Sequence, residues 1–90
     1  MCVVVDGGRM LGVFTDGDLR RTLDRRIDVH QTPMREVMIS PGKSVRAQEL
    51  AAEAAHLMEK HSITALPVVD AAGMLVGALN VHDLLRAGVL

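Results

Sequence analysis

Two short stretches carry the residues best suited to chemistry. The first is Gly12-Val13-Phe14-Thr15-Asp16-Gly17-Asp18-Leu19-Arg20-Arg21, and the second is Gly77-Ala78-Leu79-Asn80-Val81-His82-Asp83-Leu84-Leu85-Arg86. Gly, Thr or Asn, Asp, Leu and Arg recur between them at one constant offset. In each, a small polar residue ends an apolar run and an aspartate follows three positions later. Thr15-x-x-Asp18 and Asn80-x-x-Asp83 are capping-box patterns, in which the polar side chain and the aspartate satisfy amides at a helix start. The same geometry suits a ligand. A helix N-terminus offers unpaired amides and partial positive charge to a phosphate, and an aspartate accepts from ribose hydroxyls. Gly12 and Gly17 would let backbone approach such a ligand closely. A duplicated motif of this size points to a two-fold binding module.

The elements that must hold these residues follow from periodicity. Val3-Val4-Val5 stops at the turn signal Asp6-Gly7-Gly8, and Met10 to Phe14 resumes, which predicts a hairpin over 3–14. Thr15 caps a helix with Leu19 and Leu23 on one stripe, fraying near Arg25-Arg26. Met34–Met38 is a short apolar-spaced segment closed by Ser40-Pro41-Gly42, and Val45 marks a short strand. Gln48 to Lys60 is predicted as the best helix, with Leu50, Ala51, Ala54, Leu57 and Met58 on one face. The alanines of 51–55 suit close helix packing. Ile63 to Val69 is a β-rich run, Asp70 to Gly73 a turn, Met74 to Leu79 the returning strand, and Asn80 caps a last helix through Arg86.

Composition bounds the function. Ninety residues fit one module, about half of them hydrophobic, with Phe14 the single aromatic. Ten basic against eleven acidic residues give a net charge of -1, which argues against a general nucleic-acid or membrane-surface binder. The one cysteine, Cys2, cannot form an internal disulfide, and its valine-rich surroundings predict a buried, inert thiol. With no apolar run of membrane-spanning length and no signal-peptide pattern, a cytoplasmic location is expected.

Nothing suggests a catalytic or metal centre in these residues. Ser40, Ser44 and Ser62 lack a nucleophile-elbow context. His30, His56, His61 and His82 lack metal-ligand spacing; the first three suit surface or structural places, and His82 in a signature first turn could contact a ligand. Arg20 and Arg21 lie near enough to the cap to reach a phosphate, whereas Arg25 and Arg26 suit a solvated face. Met34, Met38 and Met58 would wall a pocket or fill the core.

The hairpin Val3-Val4-Val5-Asp6 matches Pro67-Val68-Val69-Asp70, so the second copy has a strand and long helix ahead of its hairpin that the first lacks. This combination resembles the CBS domain, the regulatory β-α-β-β-α repeat first named from cystathionine β-synthase. In that family Gly-x-x-Thr/Ser-x-x-Asp follows the third strand, and tandem copies pack as a pseudo-two-fold pair. Gly12, Thr15 and Asp18 complete the signature; Gly77, Asn80 and Asp83 repeat it with Asn where the family prefers Ser or Thr. Val37-Met38, Val45, Ala54, Met58, Ile63 and Leu66-Pro67-Val68-Val69-Asp70 match the upstream part of the second copy. The implied fold is α/β (α+β), a CBS pair whose first repeat is truncated at its N-terminus. Residues 1–33 would be the C-terminal part of the first repeat with a linker, and 34–90 the second repeat.

The stretches 12–21, 27–30 and 81–88 further resemble the C-terminal CBS pair of D-arabinose-5-phosphate isomerases, which open Kdo synthesis for lipopolysaccharide. The resemblance implies a regulatory module, itself no enzyme and without a resident cofactor, belonging to a protein with a sugar-isomerase domain. It implies two clefts between the repeats, one served by Thr15, Asp16, Asp18 and Arg20. The other would be served by Asn80, His82 and Asp83, with Thr64, Ala65, Leu66 and Pro67 lining it by their backbone. AMP, ADP or ATP is the family ligand; CMP-Kdo, as feedback signal, is the alternative suggested by the pathway. A ligand-free oligomerisation element, self-associating through its CBS helices, is the competing expectation.

Overall fold

The computed structural model describes residues 1–88 and divides the chain into two compact units, Met1–Gly42 and Lys43–Leu90. In the first, β1 (Cys2–Asp6) pairs antiparallel with β2 (Arg9–Phe14). The hairpin turns on Gly7 and Gly8 alone, at φ 57° and 83°. Two consecutive positive φ values match the twist of the strands, and glycine adopts them without strain. α1 (Asp16–Asp24) follows, then the single turn α2 (Met34–Val37). Ile39 bridges antiparallel to Val13 on the outer side of β2, the side away from β1.

In the second unit, β3 (Val45–Arg46), β4 (Ala65–Val69) and β5 (Leu75–Asn80) form one sheet in that spatial order. β3 and β4 are parallel, joined through α3 (Ala51–His61); β4 and β5 are antiparallel. The turn between them is built on Asp70, whose Oδ1 accepts from the amides of Ala72 at 2.9 Å and Met74 at 3.0 Å. α4 (Val81–Arg86) closes the unit. The irregularity in pairing falls between Val4 and Val5 in the first hairpin and between Val68 and Val69 in the second. These are matching places in the two copies, so the duplication extends to the bulge.

Val45, Ala54, Met58, Leu66 and Leu84 form the buried core of the second unit, flanked by Ala55, Leu57, Ile63, Val68, Leu79 and Val81. Burying Leu66 fully contributes about 1.5–3 kcal/mol. In the first unit the buried residues are Gly12, Asp18 and Thr22, none of them a large apolar side chain.

Three local expectations change. α3 begins at Ala51 rather than Gln48, because Glu49 N donates to Arg46 O in a turn and Leu50 occupies the cap without a side-chain acceptor. β4 begins at Ala65 rather than Ile63: Ser62 sits at φ 53°, and Ile63 N still donates to Met58 O, closing the helix. Cys2, expected to be buried, is exposed, because it is the first residue of β1 and pairs with Phe14 at the open end of the hairpin.

Candidate functional site

Both signatures fold as capping boxes, and their chemistry differs. At the start of α1, Thr15 is extended, at φ -115° and ψ 173°. Its Oγ1 accepts from Asp18 N at 3.3 Å and donates to Asp18 Oδ2 at 3.0 Å, while Thr15 N donates to the same Oδ2 at 2.9 Å. Arg21 Nη2 donates to the other carboxylate oxygen, Oδ1. Asp18 is 5% exposed, so its carboxylate is both enclosed and occupied at each oxygen. Burial pushes this carboxyl up; hydrogen bonds from the Arg21 guanidinium and from the Thr15 amide and hydroxyl outweigh burial and hold it below the ordinary 3.8.

At the start of α4, Asn80 Oδ1 accepts from Asp83 N at 3.0 Å, Asn80 N donates to Asp83 Oδ2 at 3.1 Å, and Arg86 Nη2 donates to Asp83 Oδ1 at 2.6 Å. Here the Asp83 side chain is 38% exposed. The Asn80 amide bond, followed by that of Arg86, lowers its carboxyl, with His82 among the smaller causes. Asn80 cannot repeat the hydroxyl bond of Thr15, and its side-chain NH2 has no partner among the described residues. Those two donors and the exposed face of Asp83 remain available to a bound molecule.

The stretch 64–67 lies beside this second cap. Thr64 O accepts from Val81 N at 2.9 Å, and Ala65, Leu66 and Pro67 pair with Asn80, Leu79 and Ala78. Leu66 and Pro67 are fully buried, whereas Ala65 is half-buried and keeps part of its surface accessible. β3 pairs only with Val68 and Val69, so among the described residues Ala65 and Leu66 have no strand on that side. Pro67 has no N–H to give β5, which turns its carbonyl towards β3 and puts both backbone groups of Ala65, two residues earlier, on the side that β3 does not reach. A shallow apolar depression lined by Ala55, Met58, Glu59, Ile63 and Val81 adjoins the start of α4.

The residues expected to bind therefore fall into two sets. Asn80, His82, Asp83 and Thr64–Pro67 come together in the second unit, with His82 exposed. Thr15 and Asp18 come together in the first; Asp16 and Arg20 are exposed and make no side-chain hydrogen bond among the described residues. Arg21 and Arg86 emerge as the carboxylate partners, and their recurrence at the offset of the repeat was the signal for it. Gly12 and Gly17 have neighbours of the protein itself in their open space. A Cβ would meet Ile39 O at 2.5 Å at Gly12 and the Arg21 guanidinium at 3.4 Å at Gly17. Among the described residues no three His, Cys, Asp or Glu side chains group as metal ligands, and no helix is long and apolar enough to cross a membrane.

A doubled strand–cap–helix unit, with a carboxylate fixed three residues into each cap, is the arrangement of a tandem-repeat module, and the sequence model of the CBS domain matches residues 34–90. The chain belongs to the CBS domain family. Over 91 aligned residues and the whole of this chain it is 60% identical to the arabinose 5-phosphate isomerase KdsD of Pseudomonas aeruginosa, spanning 28% of that relative's length. Among solved structures, the CBS domain pair of MJ0100, in complex with 5-methylthioadenosine and S-adenosyl-L-methionine, matches 96% of this chain and 67% of its own at 25% identity and TM-score 0.78. The CBS domain protein PAE2072 of Pyrobaculum aerophilum, complexed with AMP, matches 88% of this chain and 59% of its own at 30% identity and TM-score 0.76.

Proposed function

We propose that these ninety residues are the nucleotide-sensing regulatory module of an arabinose 5-phosphate isomerase of the Kdo route to lipopolysaccharide, a cytoplasmic protein with a separate sugar-isomerase domain. The 60% identical relative supports the parent activity. The ligands of the two solved CBS proteins support an adenine nucleotide. The observation that carries the reading is the second cap. The backbone N–H and C=O of Ala65, turned away from β5 and beyond the reach of β3, offer a donor and an acceptor to the edge of a base. The exposed face of Asp83 accepts from ribose hydroxyls, and the Asn80 NH2 donates to a phosphate or sugar oxygen. Cytosine also presents such an edge, so CMP-Kdo competes with AMP, ADP and ATP for this role.

Selective binding to the folded state must raise its melting temperature with ligand concentration, by about 2.7 kcal/mol of stability at a hundredfold excess over Kd. A dye-based thermal shift against AMP, ADP, ATP, CMP and CMP-Kdo tests this. A rise with one ligand that disappears in Asp83→Ala is expected. A flat response to all five removes the sensing role.

One observation favours a second reading, a ligand-free assembly element. Leu19 and Leu23 on α1 are 41% and 53% exposed, and Leu85 on α4 is 53% exposed. Apolar residues at i and i+4 on an uncovered helix face suit self-association. Sedimentation of a Leu19→Glu, Leu23→Glu variant that stays a dimer or becomes a monomer separates the two.

A further inference from the structure

The two caps are copies, so a molecule that binds one is expected to bind both. Their polar groups, however, are spent differently. In the first, the Thr15 hydroxyl accepts from the Asp18 amide and gives its own hydrogen to Asp18 Oδ2, which also takes the Thr15 amide. In the second, Asn80 has no hydroxyl hydrogen to give, and among the described residues Asp83 Oδ2 takes the Asn80 amide alone. Each carboxylate carries its arginine on Oδ1, but the two ion pairs are not equally enclosed. The Asp18 side chain is 5% exposed beneath Arg21, against 38% for the Asp83 side chain beside Arg86.

Gly17 is what lets Arg21 lie so close. The three atoms nearest to a Cβ built there all belong to the Arg21 guanidinium, Nη1 at 3.4 Å, Nη2 at 3.5 Å and Cζ at 3.8 Å. The guanidinium therefore rests across the first turn of α1, over the bare backbone of the glycine and onto Asp18 Oδ1. In the second repeat His82 stands at the position of Gly17, so Arg86 has no bare turn to lie on. The enclosure matters energetically. A hydrogen bond from a guanidinium to a carboxylate is roughly twice as strong as one between neutral groups, and enclosure shields it from water and salt. A ribose brings neutral hydroxyls, which are poor competitors for an enclosed oxygen. At Asp83 the ion pair is solvated and weak, and a hydroxyl can replace water on the exposed face.

We propose that Arg21 is a built-in plug on the first signature, so that this module takes one nucleotide per chain, at the second cap, although the motif is present twice. The proposal rests on the nucleotide-sensing reading and adds to it the number of ligands and the residue that sets that number. A cap that opens only in the fraction of molecules whose Arg21 has lifted binds with an affinity reduced by that fraction. Gly17 then belongs to the plug and is no point of ligand approach.

The test is equilibrium dialysis of the ninety-residue chain against AMP and, separately, CMP-Kdo, with the amide NMR signals of Asp18 and Asp83 followed in parallel. The unaltered chain is expected to take up about one ligand, which shifts the Asp83 amide and leaves that of Asp18 in place. Arg21→Ala should admit a second ligand, tighten binding at the first cap by about tenfold or more, and make the Asp18 amide respond. Adding Asp18→Asn to Arg21→Ala should restore the single ligand. Where Arg21→Ala loses its melting transition, Arg21→Met, which keeps the aliphatic stem and drops the guanidinium, takes its place. Two ligands on the unaltered chain, or one that shifts Asp18, overturn the plug and leave sensing intact. So does an Arg21→Ala chain that still takes only one. If the unaltered chain binds neither probe, sensing at the second cap falls. The plug then survives only if Arg21→Ala binds a probe at Asp18, and falls as well if it does not.

Discussion

The two units build the same hairpin, bulge and cap, yet stabilise them by different means. The second encloses a core of five apolar side chains, Leu66 among them, and its signature aspartate stays 38% exposed. The first has no such core. Its burial is centred on Asp18, which is 5% exposed and bonded at both carboxylate oxygens, and on Gly12, whose open side is filled by residues 38–39. Duplicated sequence therefore does not mean duplicated energetics. Both carboxylates hold the same cap and the same arginine, but where apolar burial is plentiful the motif stays at the surface, and where it is scarce the motif is itself the buried centre.

That contrast is open to direct attack. The largest effect expected is from Leu66→Ala, which removes a fully buried side chain and should cost about 2–5 kcal/mol in urea unfolding. Cys2→Ala, at the matching place on exposed β1, should stay within about 0.5 kcal/mol. If the two cost the same, the first unit has a core of its own. Next comes Gly12→Val, which forces a methyl-bearing carbon against the Ile39 carbonyl and should cost about 1–3 kcal/mol. Gly77→Val in the same ninety-residue chain should stay near zero.

The smallest effect lies in the pH dependence. Both signature carboxyls are held below 3.8, so the unfolded chain takes up protons first as pH falls. The stability they contribute is complete above the unfolded value and is lost as pH falls through the lowered native values. Asp18→Asn and Asp83→Asn should each flatten the fall in melting temperature below about pH 4. The Arg86–Asp83 pair is exposed and screened by salt, whereas Asp18 is enclosed. Acid sensitivity remaining in Asp18→Asn should therefore weaken at ~0.5 M salt, and that remaining in Asp83→Asn should persist.

Much of the fold was legible because its signals are local. Asp6-Gly7-Gly8 specifies its turn by backbone conformation alone, and Thr15-x-x-Asp18 and Asn80-x-x-Asp83 name both partners of each capping box within one helical turn. The start of α3 was not legible, since Leu50 caps it without a polar side chain and Gln48 fits the helical pattern equally well. Ile63 suits a strand as a β-branched residue; only the left-handed Ser62 before it, at φ 53°, keeps it with the helix end. The use of Gly12 needed a partner 27 positions away, a relation that periodicity does not encode. In the site, the grouping of Thr64–Pro67 with Asn80 followed from the family pattern. The difference in exposure between Asp18 and Asp83 did not, because it depends on packing around two nearly identical motifs.

Residues 34–42 fold onto the unit whose repeat they do not belong to, and this bears on inheritance and on gene engineering. A cut at the repeat boundary strips the first hairpin of the Val13–Ile39 bridge; a cut at the structural boundary deprives the second repeat of its opening residues. Neither half can be excised, shuffled or duplicated as a clean cassette. The doublet, rather than either repeat, is therefore the piece to carry whole in any truncation or fusion.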